Sequence, residues 1–238
     1  MTYRISCRVA AAAFISLAAL SATPVSAQRA GGAAGITSNA ATAEADTLAL
    51  ARAGDSRAIG PDSAMVVLLE FMDFTCSFCR SFHIARMDSL KRAIGSDVRL
   101  VFVNAVYSER LRSWHAAEAG ICAGLASGTD GYLGMADRLY RNVDTWKNAR
   151  DPGATFTRYA REAGVDTVAF NDCRARDAAA PLMLADIETA NRLGIERTPT
   201  FIIAPRGATS AEQTARVSGD VPIAQLMQLI TEARKKAK

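Results

Sequence analysis

Two cysteines, Cys76 and Cys79, are separated by two residues at the point where a strand-like apolar run changes to a helical pattern. The first N–H groups of a helix have no backbone partner, and together with the helix dipole they favour negative charge on Cys76. The thiolate is the form of cysteine that attacks a disulfide. We therefore predict that Cys76 exchanges with a substrate and that Cys79, one turn further into the helix, resolves the mixed disulfide.

A structural disulfide and a zinc site are the alternatives for this pair. The stabilisation from a disulfide grows with the length of the loop it closes, so a bridge between Cys76 and Cys79 would contribute little. His83 shares a helical face with both cysteines, which would give a metal three ligands. His115 is the only other histidine and the sequence has no second CxxC, so the other half of a zinc site is missing. No metal and no cofactor are expected.

The elements that position the pair follow from the apolar runs. Residues 64–71 and 98–103 are apolar and β-branched, as expected for strands buried on both faces. The helical pattern between them makes a βαβ unit, in which the two strands are parallel. The remaining patterns predict helices over 113–193, strands at 200–204 and 214–218, and a closing helix. This order indicates an α/β fold with an all-helical insert at about 105–178.

Thr198 and Pro199 stand directly before the predicted strand at 200–204. A proline at this place marks a helix boundary at the least. In this order of elements it is also the candidate for a cis peptide bond, a rare feature that proteins retain for a reason. A cis proline beside the CxxC would leave the backbone of Thr198 free to pair with an extended substrate segment.

Glu70 is a carboxylate inside an otherwise apolar strand, six residues before Cys76. Burial of an unpaired charge is costly, so we expect either a raised pKa for Glu70 or a partner for its charge. The alternative is a carboxylate at the strand end that reaches water. Asp73, in the turn that follows, is expected to cap the helix or to hold the turn.

The chain resembles a known family in two stretches, EFMDFTCSFCRSFH at 70–83 and GIERTPTF at 194–201. Both are similar to motifs of the DsbA-like thioredoxin-fold proteins, and the resemblance runs from about Ile59 to the C-terminus. It implies a thioredoxin fold, in which a central mixed β-sheet is flanked by helices, with an inserted all-helical subdomain.

The resemblance also implies roles for individual residues. Cys76 is the nucleophile, Cys79 the resolving cysteine, Pro199 the cis proline, and Glu70 a proton acceptor near the inner cysteine. The implied partners are extracytoplasmic proteins that contain cysteine, and a membrane redox partner that resets the CxxC pair.

The residues between the cysteines depart from the family pattern. Relatives often have proline at the position of Ser77, and the strongest oxidants have histidine at that of Phe78. Without an imidazole here, one source of thiolate stabilisation is absent. Ser77 and Phe78 are expected to contact substrate together with Thr198. An apolar collar at the site is also expected, formed by Phe74, Phe78 and Phe82.

Cys122 and Cys173 both fall in the predicted insert, 51 residues apart. We predict that they form a structural disulfide, since a loop of this length gives stabilisation of about 4 kcal/mol in the chain-entropy model. Two buried free thiols are the alternative, because sequence alone does not define connectivity.

The N-terminus has the pattern of a secretory signal peptide, predicted at 1–27. Its removal takes Arg4 and Arg8, which lowers the basic residues from 28 to 26 against 24 acidic ones. No dense basic stripe remains, so nucleic-acid binding is not supported. Residues 28–60, rich in small side chains, are predicted to be a flexible linker before a domain at 61–238. We expect a monomer, in the periplasm or another extracytoplasmic compartment.

The sequence thus predicts an exported thiol–disulfide oxidoreductase, with the oxidising direction favoured. A disulfide reductase or isomerase of the same fold is one alternative. A non-catalytic peptide-binding module that keeps the fold is the other.

Overall fold

The computed structural model describes residues 56–106, 111–208 and 210–237. The predicted signal peptide at 1–27 lies outside the described residues, as does most of the predicted linker at 28–60. Within the described ranges, no helix is both long enough and apolar enough to span a membrane.

A mixed sheet of five strands forms the centre of the part of the chain that the structure describes. Its strands are β1 (Ala58–Ile59), β2 (Val66–Met72), β3 (Val98–Asn104), β4 (Thr200–Pro205) and β5 (Ala215–Ser218). They lie in the order β1-β3-β2-β4-β5, with β2 and β3 parallel and the other neighbouring pairs antiparallel. The parallel pair of the predicted βαβ unit is therefore confirmed.

Helices pack on both faces of the sheet and fill the interval between β3 and β4. The first, α1 (Ser77–Ala93), crosses from β2 to β3. The interval holds α2 (Leu111–Arg141), α3 (Val143–Asn148), α4 (Gly153–Glu162), α5 (Thr167–Ala175) and α6 (Ala180–Arg192), and after a 3-10 turn at Ala211–Gln213 the fold closes with α7 (Ile223–Lys236). The predicted α/β architecture with a helical insertion is confirmed.

Alternation of side chains along β2 divides the core into two parts. Every second residue from Val66 to Met72 faces a large core shared with α1, α7 and the inserted helices. The residues between them face a smaller core, to which α6 contributes Ala190. By this alternation Glu70 lies on the same side of the sheet as α1.

The inserted helices have a core of their own aromatic side chains, joined to a disulfide. Trp146 and Phe156 are fully buried with their ring centroids 5.7 Å apart. Cys122 of α2 and Cys173 of α5 are joined in a disulfide, with their Cα atoms 5.7 Å apart, and are not two free thiols. This bridge links two helices that also pack against each other.

The fold begins before the boundary predicted from sequence. Residues 56–60 were assigned to the linker, but β1 pairs with β3 and the side chain of Arg57 is buried. Its guanidinium donates to Asp186 of α6, and Asp186 Oδ2 also accepts hydrogen bonds from N and Nδ2 of Asn104, both at 2.9 Å. A strand of two residues has no periodicity to detect, and arginine is typical of surfaces, so the sequence pattern misses this segment.

The Arg57–Asp186 pair generates a prediction about stability. Arg57→Ala leaves the Asp186 carboxylate buried without its cation, so we expect the free energy of unfolding to fall by about 3–5 kcal/mol. Urea unfolding measures this. Arg86→Ala is the control, because Arg86 pairs with Asp220 at the surface and such pairs contribute about 0–1 kcal/mol. Equal losses in the two variants would contradict the prediction.

Candidate active site

Cys76 occupies the turn between β2 and α1, where it is the N-cap residue of the helix. Its side chain is half-buried, and its Sγ lies 3.5 Å from the backbone N of Cys79, which donates to it. On the other side, the Cys76 thiol donates to the carbonyl oxygen of Thr198 at 3.2 Å. The sulfur is therefore held between the first turn of α1 and a loop that is distant in sequence.

The surroundings give the two thiols opposite acidities. A hydrogen bond from the Cys79 thiol has the largest effect, and with hydrogen bonds from the Thr198 side chain and from backbone N–H groups it lowers the pKa of Cys76 to about 5, although burial opposes it. Burial raises the pKa of Cys79 far above its ordinary value. Both cysteines are free thiols in this structure. The site thus stabilises a thiolate at the half-exposed sulfur and a protonated thiol at the enclosed one.

Glu70 is buried, not a strand-end carboxylate in contact with water. Its neighbours across the sheet are Phe102 of β3 and Phe201 of β4. In the described part of the chain, Glu70 Oε2 has no hydrogen-bond partner. This burial raises the pKa of Glu70 to about 8, so the carboxyl group carries a proton at neutral pH. It faces the core that contains Cys79.

The Thr198–Pro199 peptide bond is cis. Pro199 is buried, whereas Thr198 is partly exposed at the loop between α6 and β4. This loop brings Thr198 to Cys76, 122 positions away in sequence. The structure therefore brings together Cys76, Cys79 and the Thr198 loop, as the resemblance implies.

The phenylalanines near the site do not form the expected collar. Phe78, in the first turn of α1, is 59% exposed, and Ser77 beside it is also exposed. Phe74 instead packs against Tyr140 in the core, and Phe82 packs against Phe201, with ring centroids 5.0 and 4.8 Å apart. The collar prediction is wrong for these two rings, because they lie on the inward side of the turn and of α1.

His83 is packed into the protein. Its ring lies 4.8 Å from that of Tyr140, and its Nε2 lies 3.7 Å from a carboxylate oxygen of Asp137. Burial lowers the pKa of His83 to about 4. In residues 56–106, 111–208 and 210–237, no group of three His, Cys, Asp or Glu side chains is arranged to hold a metal.

Sequence reasoning missed a hydrogen-bonded cluster beneath Cys76. Asp73 is buried and accepts hydrogen bonds from Thr75 and from Ser113, which belongs to α2. Asp73 and Thr75 are close to the cysteines in sequence, and this closeness marks both as candidate site residues. Ser113 lies 40 positions from Asp73, and nothing in its own sequence context marks it.

Comparison with known proteins gives a family and a fold. A family model described as Thioredoxin matches residues 52–219. No curated protein matches the chain at a significant level.

Several solved structures are similar to this one. Alpha-DsbA1 of Wolbachia pipientis has a TM-score of 0.64 and 21% identity, covering 76% of this chain and 92% of that chain. BcfH of Salmonella enterica Typhimurium has a TM-score of 0.66 and 18% identity, covering 83% of each chain. Oxidised BdbD of Bacillus subtilis has a TM-score of 0.64 and 17% identity, covering 76% of this chain and 94% of that chain. At these identities the likeness concerns the fold, which is the thioredoxin fold of the DsbA proteins.

The acidity of Cys76 generates a prediction about its reactivity. In the reduced protein we expect the rate of alkylation by iodoacetamide to rise with pH around a midpoint near 5, because the thiolate reacts and the pKa of Cys76 is about 5. An unperturbed thiol would give a midpoint at a pH of about 8.5. Cys76→Ser is the control and should remove this phase. A midpoint near the unperturbed value would contradict the prediction.

Burial of Glu70 generates a prediction about pH and stability. Between pH 4.5 and about 8 the folded protein keeps a proton on Glu70 that the unfolded chain releases. The unfolded state then binds fewer protons, so the free energy of unfolding falls as pH rises through this window and levels off above it. Glu70→Gln should remove this decline.

Urea unfolding of the oxidised protein across the same window tests the effect of Glu70, since oxidation prevents titration of the thiols. We expect the stability of E70Q relative to wild type to increase with pH. Glu188→Gln changes an exposed carboxylate of α6 and is the matched control. Parallel pH profiles for wild type and E70Q would show that Glu70 does not titrate as expected.

Proposed function

This chain belongs to the thioredoxin family, and from that premise we propose that it is a thiol–disulfide oxidoreductase that acts on protein substrates through Cys76 and Cys79. The predicted resemblance to DsbA-like proteins is confirmed at the level of family and fold. The observation that carries the proposal is the contrast between two thiols one helical turn apart. Cys76 is half-exposed with a pKa of about 5, whereas Cys79 is buried with a raised pKa.

The proposed reaction starts from a disulfide between Cys76 and Cys79. A substrate thiolate attacks Sγ of Cys76, the Cys76–Cys79 bond breaks, and Cys79 leaves as a thiolate that takes up a proton. A second substrate thiolate then attacks the substrate sulfur of the mixed disulfide and releases Cys76 as a thiolate. The substrate loses two electrons and gains a disulfide, and the CxxC pair gains the two electrons.

Glu70 is the proposed source of the proton for Cys79. Because burial raises the pKa of Glu70 to about 8, its carboxyl group is protonated at neutral pH and can act as an acid. The leaving Cys79 thiolate is strongly basic in its apolar surroundings. In the opposite direction, the Glu70 carboxylate would accept the proton that Cys79 must lose.

The acidity of Cys76 favours the oxidising direction. A thiol with a lowered pKa stabilises the reduced form of the pair, which makes the disulfide a stronger acceptor of electrons. This stabilisation arises without an imidazole at the position of Phe78, through hydrogen bonds from Cys79, Thr198 and the backbone. The departure from the family pattern at Ser77 and Phe78 therefore leaves an acidic thiol in place.

The proposed substrates are cysteine-containing proteins outside the cytoplasm. Exposed Phe78 and Ser77 lie beside Cys76, and the backbone of Thr198 faces the same sulfur, so an extended segment can be bound next to the reacting atom. A disulfide in the insert is typical of proteins in oxidising compartments. An exported location, with the signal peptide at 1–27 and a membrane partner that reoxidises the pair, completes the proposal.

Substitution of each cysteine tests the proposed function. With a reduced, unfolded protein as substrate, we expect Cys76→Ser to abolish disulfide formation, since the attacked sulfur is gone. With a protein that carries a disulfide as substrate, the Cys76 thiolate of Cys79→Ser should instead attack that disulfide and release one substrate thiolate, and the mixed disulfide should accumulate because no second cysteine in the site resolves it. Non-reducing electrophoresis detects both results.

Ser81→Ala, a change at an exposed position of α1, is the control and should oxidise substrate at the wild-type rate. Undiminished turnover in C76S would contradict the proposal. If the double variant C76S/C79S bound the unfolded substrate while wild type failed to oxidise it, the chain would be a non-catalytic peptide-binding module.

A further inference from the structure

Three polar side chains meet beneath the turn that carries Cys76. Asp73 Oδ1 accepts from the Thr75 hydroxyl at 2.7 Å and from the Ser113 hydroxyl at 2.8 Å. The two hydroxyl oxygens are themselves 2.8 Å apart, and Ser113 Oγ is 2.9 Å from Asp73 Oδ2. Asp73 and Ser113 are buried and Thr75 is half-buried. Two of these side chains belong to the turn, and the third comes from α2.

Asp73 holds the backbone at the start of α1 through two contacts. Its carboxylate accepts from the N–H of Thr75 at 2.7 Å, and its carbonyl oxygen accepts from the N–H of Cys76 at 3.0 Å. Consecutive N–H groups are thus bound by one residue just before the helix begins. The Asp73 carboxylate thus holds the N–H of Thr75, the residue directly before the N-cap Cys76.

Ser113 determines the position of that carboxylate. Its hydroxyl reaches both oxygens of Asp73, whereas the Thr75 groups approach Oδ1. A carboxylate only accepts hydrogen bonds, so the two hydroxyl hydrogens must serve four oxygen–oxygen contacts. Thr75 then donates either to Asp73 or to Ser113, and in both arrangements it is the Ser113 hydroxyl that reaches Asp73 Oδ2.

We infer that Ser113 is a positioning residue, by which the inserted helices hold the turn that carries Cys76 and so set the redox equilibrium of the Cys76–Cys79 pair. This inference rests on the proposed function and adds to it a residue from outside the CxxC and cis-proline segments. Ser113 does not contact either reacting sulfur. It acts through Asp73.

Loss of the Ser113 hydroxyl should shift the redox equilibrium of the Cys76–Cys79 pair in a definite direction. A buried carboxylate short of a donor will draw on other N–H groups or turn toward water, since an unmet acceptor is costly. Either movement loosens the N-cap and the contacts of Cys76 with Cys79 and Thr198. The hydrogen bonds donated to the sulfur by Cys79 and by the Thr198 side chain stabilise the thiolate of the reduced form, so their loss shifts the equilibrium toward the disulfide.

The charge of Asp73 would act in the opposite sense. A carboxylate near the Cys76 thiolate disfavours it, so a disturbance that removed only the influence of that charge would shift the equilibrium toward the dithiol. The sign of the change therefore separates positioning from charge.

The experiment is the redox equilibrium of the purified full chain with glutathione, measured for wild type, Ser113→Ala and Ser113→Thr. We expect S113A to favour the Cys76–Cys79 disulfide by about three- to tenfold, in line with the net contribution of one ordinary hydrogen bond. S113T keeps the hydroxyl and should stay within about twofold of wild type. The alkylation profile of Cys76 should move to higher pH in S113A alone.

Ser127→Ala is the matched control. Ser127 is another serine of α2 that binds a single backbone N–H, that of Asp166 at 3.0 Å, in a part of the helix remote from Asp73 in sequence. An equilibrium in S113A equal to that of wild type, a shift toward the dithiol, or an equal shift in S127A would each overturn the inference.

Thr75→Val provides a second route if S113A does not fold. It removes the other hydroxyl at nearly constant shape, and a shift toward the disulfide is again expected, with no shift counting against the inference. Glutathione replaces the protein substrate throughout, so the result stands apart from the proposed function. If wild type failed to oxidise an unfolded protein, the function would fail while the effect of Ser113 was still measured.

Discussion

The proposed chemistry of this protein depends on the different depths of two sulfurs along one helix. Cys76 lies at the first turn of α1, where N–H groups and the Thr198 loop surround it, and Cys79 lies one turn deeper among apolar side chains. Both are attached to the same rigid helix, so the difference in their acidity does not depend on a flexible side chain. The start of α1 is held by the strand before it, by the loop at Thr198 and by the inserted helices.

Enclosure of Cys79 creates a need for a buried acid or base. In the proposed reaction this sulfur gains or loses a proton out of reach of bulk water, and a charged group beside it would be unstable in an apolar core. Glu70 meets both conditions, because the central strand carries it to the same side of the sheet and flanking phenylalanines keep it protonated at neutral pH. The apolar residues of β2 therefore provide the environment that raises the pKa of Glu70, the one acidic residue within the strand.

Sequence was sufficient where the determinants are local or periodic. The CxxC at a helix start, the βαβ unit and the proline before β4 follow from short patterns, and so does burial of Glu70 within an apolar run. Ser113 was out of reach because its role depends on the packing of α2 against a turn 40 residues earlier. The inward orientation of Phe74 depends on the turn before α1 and that of Phe82 on the rotation of α1 about its axis, and β1 is too short to show a periodic pattern.

The four cysteines of the described residues also differ in bonding and in exposure to solvent. Cys122 and Cys173 are bonded to each other inside the insert, and Cys79 is fully buried. Cys76 alone among these described sulfurs is partly open to the solvent. Among the described residues, a large electrophile or a second protein can therefore form an adduct with one sulfur atom, that of Cys76. The same geometry suppresses disulfide exchange among the described cysteines, because no second sulfur in these residues is exposed to a partner.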